Sequence, residues 1–262
     1  MIKMKKTILS ISIAMVLLSS CSQGNKEQTA NAPAKEVKLV AEIKTENTSQ
    51  PKGEAITMYP ELSKYIETVK AGIEAIPQDR KNQLKKIALF VKTKKQSNED
   101  ANLTFICTHN SRRSHMSQIW ASTAANYYNI AKGINTFSGG TEATAFNPRA
   151  VAAMERAGFL VENPGGDNPH YKVTFAKEGA ELECFSKKYD DPSNINENFV
   201  AVMTCSEADK NCPFIPGATL RVPIPYEDPK IADNTDQEAS KYDERCLQIA
   251  TEMFYLMSQV KA

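Results

Sequence analysis

The sequence predicts an α/β fold, a three-layer sandwich in which a small parallel sheet lies between layers of helices. Strand-like apolar runs alternate along the chain with segments whose apolar residues recur at helical spacing. One run, Phe199–Met203, is almost continuously apolar, as strands buried on both faces of a parallel sheet are. Another, residues 103–106, leads through a short polar loop into a helix-like run that starts at Met116.

Residues 1–20 are typical of a secretory signal peptide. Early lysines precede an apolar run, residues 8–18, that is too short to span a bilayer. Residues 18–21 (LSSC) resemble a bacterial lipobox, so Cys21 is the predicted lipidation site. Several acyl chains on one cysteine anchor a protein firmly. We therefore expect an extracytoplasmic, membrane-anchored bacterial lipoprotein on the periplasmic side or the cell surface; ordinary cleavage with Cys21 as a bystander is the alternative.

Two further segments precede the predicted catalytic domain, residues 98–262. Residues 21–55 have few apolar side chains, which predicts a flexible tether. Residues 56–97 form a predicted helical extension, in which apolar residues recur at helical spacing after Pro60 and again after Pro77. We expect this pair of helices to pack on the core; partner binding is the alternative.

Within the catalytic domain, strands and helices are predicted to alternate. Residues 171–185 predict a hairpin or a short irregular insert. Predicted strands span residues 103–106, 134–138, 199–203 and 220–224, and predicted helices span 116–130, 148–157 and 237–260.

Composition excludes several functional classes. The 262 residues carry a net charge of +1, so there is no general basic surface and no nucleic-acid partner is expected. Six cysteines in a chain of this length do not form a disulfide scaffold. No cysteine and histidine set has zinc-ligand spacing, so we expect no metal and no bound cofactor.

The loop Cys107-Thr-His-Asn-Ser-Arg-Arg113-Ser114 carries the predicted chemistry. Between a strand end and a helix start, backbone N–H groups converge and the helix dipole is positive, which favours an anion and the thiolate form of a cysteine. Arg113 can close a bidentate fork on a tetrahedral oxyanion, which a lysine cannot do as well. The loop therefore predicts a thiolate nucleophile that faces a phosphate-like group; a buried structural cysteine is the alternative.

The pattern Cys107-x5-Arg113-Ser114 after a first strand resembles the low-molecular-weight protein tyrosine phosphatase superfamily, which includes the thioredoxin-coupled arsenate reductases. The resemblance covers roughly residues 101–260. It implies that Asn110 braces the loop and that Ser114 hydrogen-bonds the nucleophile's sulfur. The predicted catalytic residues are Cys107, Arg113, Ser114 and Asp228, and the predicted substrate-binding residues are Thr108, His109, Asn110, Ser111, Arg112 and Arg113.

Two residues of the loop depart from the superfamily pattern. His109 stands where the superfamily usually has glycine, and Arg112 stands where it often has a second cysteine. The loop therefore lacks the neighbouring thiol that can protect a phosphatase nucleophile as a disulfide. The positive charge of both residues favours anionic substrates, although each side chain can also simply be solvated.

Asp228, in an Asp-Pro pair after the last strand, matches the superfamily's general acid. A phosphatase needs a carboxyl group that protonates the leaving oxygen and then a base that activates water. Lys230 stands where tyrosine phosphatases usually have an aromatic wall for the phosphotyrosine ring, which weakens that interpretation. A simple turn is the alternative role of Asp228, and Glu227 is the substitute acid.

Cys205 and Cys212 follow the buried strand and resemble the redox pair of the arsenate reductases. The segments 138–142 (SGGTE) and 147–154 (NPRAVAAM) resemble that branch as well. The resemblance implies that Cys107 attacks arsenate, that Cys205 attacks the arsenylated sulfur and releases arsenite, and that Cys212 resolves the disulfide. A thioredoxin-like protein would then be the reductant. A static disulfide and two unpaired thiols are the alternatives.

Two enzymatic functions remain open. One is hydrolysis of phosphate monoesters through a covalent cysteinyl intermediate with Asp228 as general acid, and the other is arsenate reduction through Cys107, Cys205 and Cys212. The predicted location argues for hydrolysis, because reduction outside the cytoplasm needs a local supply of electrons. A non-enzymatic oxyanion-binding lipoprotein is the third alternative. Cys184 has no assigned role, and Cys246 lies on an apolar helix face, which predicts a core position.

Overall fold

The structure, a computed structural model, describes residues 56–179 and 181–261. The predicted signal peptide, the predicted lipidation site Cys21 and the predicted tether lie outside these residues. None of the described helices combines the length and the apolar character needed to cross a membrane.

The described residues form six α-helices and seven strands. The helices are α1 (Pro60–Ala71), α2 (Gln78–Gln96), α3 (Arg113–Tyr127), α4 (Pro148–Arg156), α5 (Ser206–Asn211) and α6 (Glu238–Lys261). The strands are β1 (Ala101–Cys107), β2 (Ile134–Gly140), β3 (Leu160–Glu162), β4 (Tyr171–Thr174), β5 (Leu182–Cys184), β6 (Phe199–Met203) and β7 (Ala218–Pro223). Single-turn 3₁₀ segments span Ile73–Ala75 and Pro229–Ala232.

A four-stranded parallel sheet in the order β2-β1-β6-β7 lies at the centre of the fold. Every residue of β1 and β6 is buried, and alternate side chains enter different clusters. Leu103 and Phe105 belong to the main core, whereas Ile106 belongs to a smaller cluster with Phe199, Met203 and Ala208 of α5. Burial on both faces explains why β6 is continuously apolar. The predicted α/β fold with a small parallel sheet flanked by helices is confirmed.

The helical extension packs on the main core. Pro60 occupies the first turn of α1, and Pro77 directly precedes α2. Both helices contact α6, and α2 also contacts β1 and β7. Their fully buried apolar side chains are Leu62, Ile66, Val69, Leu84, Ile87 and Val91. Burial of six such side chains in the same core as the sheet makes the extension part of the body that carries the site.

Two short elements were absent from the sequence prediction. Helix α5 has six residues, which is less than two turns and too short for a helical period to be visible. Strand β3 has three residues and pairs antiparallel with β4, which in turn pairs antiparallel with β5. The segment 171–185 therefore takes the hairpin form of its two predicted forms, as part of a separate three-stranded sheet.

Candidate active site

The carboxyl ends of three neighbouring parallel strands bring the predicted residues to one edge of the sheet, where ligands of open α/β sheets bind. Strand β1 ends at Cys107, and the chain continues from β6 to Cys205. The Thr204 backbone N–H donates to the Ile106 carbonyl over 2.7 Å, which keeps the two strand ends side by side. The segment after β7 brings Asp228 to the same edge.

Asn110 and Ser114 hold the loop beneath Cys107. Asn110 has a φ of +45°, a left-handed conformation that asparagine tolerates better than most residues. Its side-chain amide donates to Ser114 Oγ over 2.8 Å, and its Oδ1 accepts the Lys187 backbone N–H over 3.0 Å. Because Ser114 Oγ accepts from Asn110, its own hydrogen is free for Cys107 Sγ, 3.1 Å away. Asn110, Ser114 and Cys107 thus form one hydrogen-bonded chain, and their roles in the reaction stay a prediction.

Gly140, at the end of β2, allows the loop to approach the sheet. A Cβ atom at this position would lie 2.7 Å from both the Asn110 nitrogen and the Thr108 carbonyl oxygen. It would also lie 2.2 Å from the Glu142 carbonyl oxygen, closer than any real contact. Position 140, the second glycine of the SGGTE segment, therefore requires glycine, since any side chain there would displace the loop that carries Cys107.

Arg113 lies at the start of α3 and contacts the predicted acid directly. Its Nη2 donates to Asp228 Oδ2 over 2.7 Å, and its Nη1 donates to the Tyr226 carbonyl over 2.9 Å. The guanidinium is almost fully buried, and its Nε has no hydrogen-bond partner among the described residues. The fold thus brings together the predicted oxyanion ligand and the predicted proton donor, and leaves the buried Nε–H of Arg113 without a partner in the described part of the chain.

The other loop side chains are held by neighbouring elements. Arg112 Nε donates to the Tyr242 hydroxyl over 2.8 Å, and Arg112 Nη2 lies 3.6 Å from Asp233. Ser111 Oγ donates to the Ala145 carbonyl over 2.7 Å. His109 is half-exposed, and its Nε2 lies 3.4 Å from Glu142. Among these predicted substrate-binding side chains, His109 therefore remains the most accessible to a substrate at the mouth.

Cys205 lies beside the loop, and Cys212 lies at the far end of α5. Cys205 caps α5, since its sulfur accepts the Ala208 backbone N–H at 3.4 Å, and the Thr108 hydroxyl also lies 3.4 Å from that sulfur. Burial raises the pKa of the Cys205 thiol, while the hydrogen bonds from Thr108 and Ala208 and the charge of Arg113 act in the opposite direction. Cys212 is partly exposed, and both residues are free thiols.

The remaining candidates lie elsewhere. Glu227, the substitute acid, is 91% exposed at its side chain and lies 3.5 Å from Arg245. Cys246 lies in the core, where Trp120 Nε1 donates to its sulfur over 3.3 Å and burial raises its pKa to about 11. Burial likewise raises the pKa of Cys184 to about 12. Within the described ranges, no three histidine, cysteine or acidic side chains are placed to hold a metal ion.

Two contacts to the loop escaped the sequence analysis because they use backbone groups. The Lys187 N–H fixes Asn110, and the Tyr226 carbonyl fixes Arg113. Backbone groups are the same at every position, so no residue type marks them. The one sequence feature that points to the Tyr226 contact is its position two residues before Asp228, the predicted acid.

The fold and the site together define an enzyme that uses a cysteine beside an arginine in a strand-to-helix loop. No protein-family profile matches the chain. Similar curated proteins include two arsenate reductases. That of Staphylococcus aureus (strain Newman) is 30% identical over 125 residues, which cover 48% of this chain and 76% of the relative. That of Bacillus licheniformis is 27% identical over 141 residues, which cover 54% of this chain and 83% of the relative. The chain belongs to the family of these arsenate reductases.

Solved structures of lower similarity include members of both branches. An arsenate reductase in its phosphate binding state has a TM-score of 0.42 and 19% identity, and the match covers 61% of this chain and 98% of that chain. A low-molecular-weight phosphotyrosine phosphatase from Vibrio cholerae has a TM-score of 0.40 and 13% identity, with 60% and 95% covered. With its curated relatives, the site identifies this chain as a cysteine-based enzyme.

Proposed function

We propose that the protein is an arsenate reductase that uses three cysteines in sequence. The observation that carries this proposal is the position of Cys205. This residue follows β6, the strand next to β1, and its sulfur lies 3.4 Å from the Thr108 hydroxyl at the edge of the loop. Hydrolysis of a phosphate ester does not require a second thiol at this place. Reduction does, because two electrons must leave the protein for arsenic. The relatives named arsenate reductase support the same assignment.

In the first step, the Cys107 thiolate attacks arsenic. A sulfur–arsenic bond forms, and one arsenate oxygen takes up protons and leaves as water. Arg113 and the N–H groups of the loop hold the remaining oxygens, as preorganised donors do for developing oxyanions. Asp228, whose Oδ2 lies 2.7 Å from Arg113 Nη2, is the proposed source of a proton for the leaving oxygen.

In the second step, the Cys205 thiolate attacks the Cys107 sulfur. A disulfide forms, and the electron pair of the sulfur–arsenic bond stays on arsenic, which leaves as arsenite in the trivalent state. The attacking group must be a thiolate, so the raised pKa of Cys205 makes this step faster as pH rises.

In the third step, Cys212 attacks the Cys205 sulfur and releases the Cys107 thiolate. Cys205 and Cys212 cap opposite ends of α5, and the six helical residues between them separate their Cα atoms by about 10 Å. A disulfide needs a Cα separation of roughly 4.4–6.8 Å. Helix α5 must therefore unwind before the bond can form. A thioredoxin-like dithiol protein then reduces the Cys205–Cys212 disulfide and becomes oxidised itself.

The assay of wild-type protein tests this proposal. We expect arsenite release from arsenate in the presence of a thioredoxin system, with one reductant disulfide formed for each arsenite. Without reductant, we expect a single turnover that ends with two protein thiols lost. If no dithiol reductant supports arsenite release, the proposal is wrong.

A second candidate function, hydrolysis of phosphate monoesters, is favoured by the contact between Asp228 and Arg113. Asp228 is about one-third exposed at its side chain, so it can reach both the loop and a leaving group. In hydrolysis it would protonate the leaving oxygen and then activate the water that splits the cysteinyl phosphate.

Replacement of Asp228 by Asn measures this second function. Loss of a general acid typically costs about 10²- to 10⁴-fold in rate. We expect a loss in that range for phenyl phosphate, and a smaller loss for arsenate reduction. Asp233→Asn is the control, because Asp233 contacts Arg112 but not Arg113. Equal hydrolysis by wild type and Asp228→Asn would remove Asp228 from the mechanism.

We also propose a membrane anchor at Cys21, supported by the lipobox-like segment alone. An anchored enzyme outside the cytoplasm would depend on an extracytoplasmic dithiol reductant. Metabolic labelling with a fatty acid should mark the protein, and Cys21→Ala should abolish the label. Unlabelled wild-type protein would show that Cys21 carries no lipid.

A further inference from the structure

We propose that Arg80, in the helical extension, is a positioning residue for the active site. It fixes the segment Pro225–Tyr226, which in turn holds Arg113 and places Asp228. This inference rests on the proposed roles of Arg113 and Asp228 in oxyanion binding and proton transfer. It gives the helices before β1 a part in catalysis that their core packing alone does not require.

Arg80 contacts the segment before the acid in two ways. Its Nη2 donates to the Pro225 carbonyl over 2.6 Å, and its guanidinium carbon lies 5.0 Å from the centre of the Tyr226 ring. The first contact fixes the backbone and the second fixes the direction of the next side chain. A guanidinium can make both contacts at once, because its edge donates hydrogen bonds while its face stacks on an aromatic ring.

A buried carboxylate closes the same arrangement from α6. Arg80 Nε donates to Glu252 Oε1 over 3.1 Å, and the Tyr226 hydroxyl donates to Glu252 Oε2 over 2.8 Å. Gln248 Nε2 lies 3.3 Å from the same Oε1. Glu252 is 3% exposed, and burial raises its pKa while the charge of Arg80 and these hydrogen bonds act against the rise. Arg80 is thus the cation within ion-pair distance that compensates Glu252.

The anchored segment reaches the catalytic residues within two positions. The Tyr226 carbonyl accepts from Arg113 Nη1 over 2.9 Å, so its position determines the angle of the guanidinium. Asp228 follows two residues later and binds Nη2 of the same guanidinium. Movement at Pro225 or Tyr226 therefore displaces the oxyanion ligand and the proton donor together. Misplacement by about 1 Å at an active site can cost about 10²-fold in rate.

Lys81 provides a matched control on the same helix. Its side chain is 14% exposed, against 17% for Arg80, and it pairs with Glu74. Its Nζ donates to the Glu74 carbonyl and lies 5.7 Å from the Tyr255 ring centre. Lys81 thus resembles Arg80 in charge, burial and aromatic contact, but its contacts are with Glu74 and Tyr255 and not with the segment before Asp228.

The test compares Arg80→Met, Arg80→Lys and Lys81→Met in the full chain. The substrates are phenyl phosphate, whose leaving oxygen needs protonation, and a nitrophenyl phosphate, whose leaving oxygen needs little. We expect Arg80→Met to lower kcat for phenyl phosphate about tenfold and to affect the nitrophenyl ester less, because a displaced acid matters most for the poorer leaving group. Arg80→Lys should restore part of the rate, and Lys81→Met should behave like wild type on both esters.

A binding measurement keeps the inference testable if neither ester is hydrolysed. Titration of each variant with inorganic phosphate reports the position of Arg113 without any turnover. We expect weaker phosphate binding by Arg80→Met than by Lys81→Met. Absence of hydrolysis in wild type, with this difference intact, would count against the hydrolytic function but support the positioning role.

If Arg80→Met does not fold, the double variant Arg80→Met/Glu252→Gln takes its place in the comparison. The second substitution removes the buried charge that the loss of Arg80 leaves uncompensated. Equal losses on the two esters, together with phosphate binding like that of Lys81→Met, would show a purely structural role. That result would overturn the inference and leave the proposed function unaffected.

Discussion

The loop around Cys107 and helix α5 after Cys205 lie at the same edge of the sheet, yet they are held in different ways. Cys107, Asn110 and Ser114 are buried, and their side chains hydrogen-bond one another in a continuous chain. Helix α5 has six residues, most of them exposed, and an isolated helix of that length is not stable in water.

A single side chain of β7 makes three hydrogen bonds to α5 and to the residue that caps its C-terminal end. Arg221, on β7, donates through Nη2 to both the carbonyl and the carboxylate of Asp209 over 2.6 Å. Its Nε donates to the Cys212 carbonyl over 3.1 Å. Both Arg221 and Asp209 are partly exposed, so these contacts are weaker than buried ones.

The difference corresponds to two chemical tasks. Donors that bind an oxyanion must be in place before the reaction, because any reorganisation adds to the barrier. A thiol that must meet two different partners needs a segment that opens at low cost, and such segments have few buried apolar contacts. In the proposed arsenate reduction, the rigid loop suits attack on arsenate and the weakly held α5 suits disulfide transfer.

We expect the largest effect from a substitution in the rigid loop. Cys107→Ser should abolish both arsenate reduction and phosphate ester hydrolysis, because a serine hydroxyl at this place stays protonated. The fold should remain, since the substitution keeps the size of the side chain. Arsenite release measures the reduction, aryl phosphate hydrolysis measures the esterase rate, and thermal unfolding measures the stability of the fold. Turnover at the wild-type rate would show that Cys107 is a structural cysteine.

The next largest effect distinguishes the cysteines at the ends of α5 from the loop around Cys107. Cys205→Ser and Cys212→Ser should stop multiple turnovers of arsenate but preserve hydrolysis, because only reduction passes through these thiols. Cys212→Ser should still release about one arsenite per protein and stop at the Cys107–Cys205 disulfide. Mass spectrometry of the trapped disulfide identifies this state. Unchanged arsenate turnover in both variants would mean that the pair has no redox role.

The pH dependence should follow the same division. Burial raises the pKa of Cys205, so its thiolate fraction is still increasing with pH above the range of an ordinary thiol. When the second step limits turnover, the rate of arsenate reduction should therefore rise with pH. Hydrolysis should lack that rise, because it needs a protonated acid and no second thiolate. Identical pH profiles for the two reactions would contradict this assignment.

The smallest effect concerns the flexible side alone. Arg221→Met should weaken the attachment of α5 by about 1 kcal/mol, which increases the opened fraction about fivefold. Hydrogen exchange in residues 206–211 and the rate of Cys205–Cys212 disulfide formation should both increase. Hydrolysis should stay near wild type. Arg149→Met, which removes an ion pair with Glu238 on α6, is the control. No change in exchange would show that other contacts hold α5.

The sequence by itself was sufficient for the local parts of this protein. A cysteine and an arginine at fixed spacing, between an apolar strand and a helix, predict the loop because the hydrogen bonds that join Cys107, Asn110 and Ser114 to one another span only a few residues. The continuous apolar character of β6 likewise follows from burial on both faces. Such signals are visible because neighbouring residues in the chain are also neighbours in space.

The resemblance implied that Asp228 and Cys205 act at the loop, but only the tertiary structure decided the contacts through which distant groups meet there. Asp228 approaches Arg113 from 115 positions away, and Cys205 approaches Thr108 from 97 positions away. The position of Arg80 against Pro225 joins segments 145 residues apart. No sequence period marks these contacts, because each depends on how the strands align within the sheet and on how α2 and α6 pack against it. Their geometry is set by the packing of the whole core, which no single segment of the chain contains.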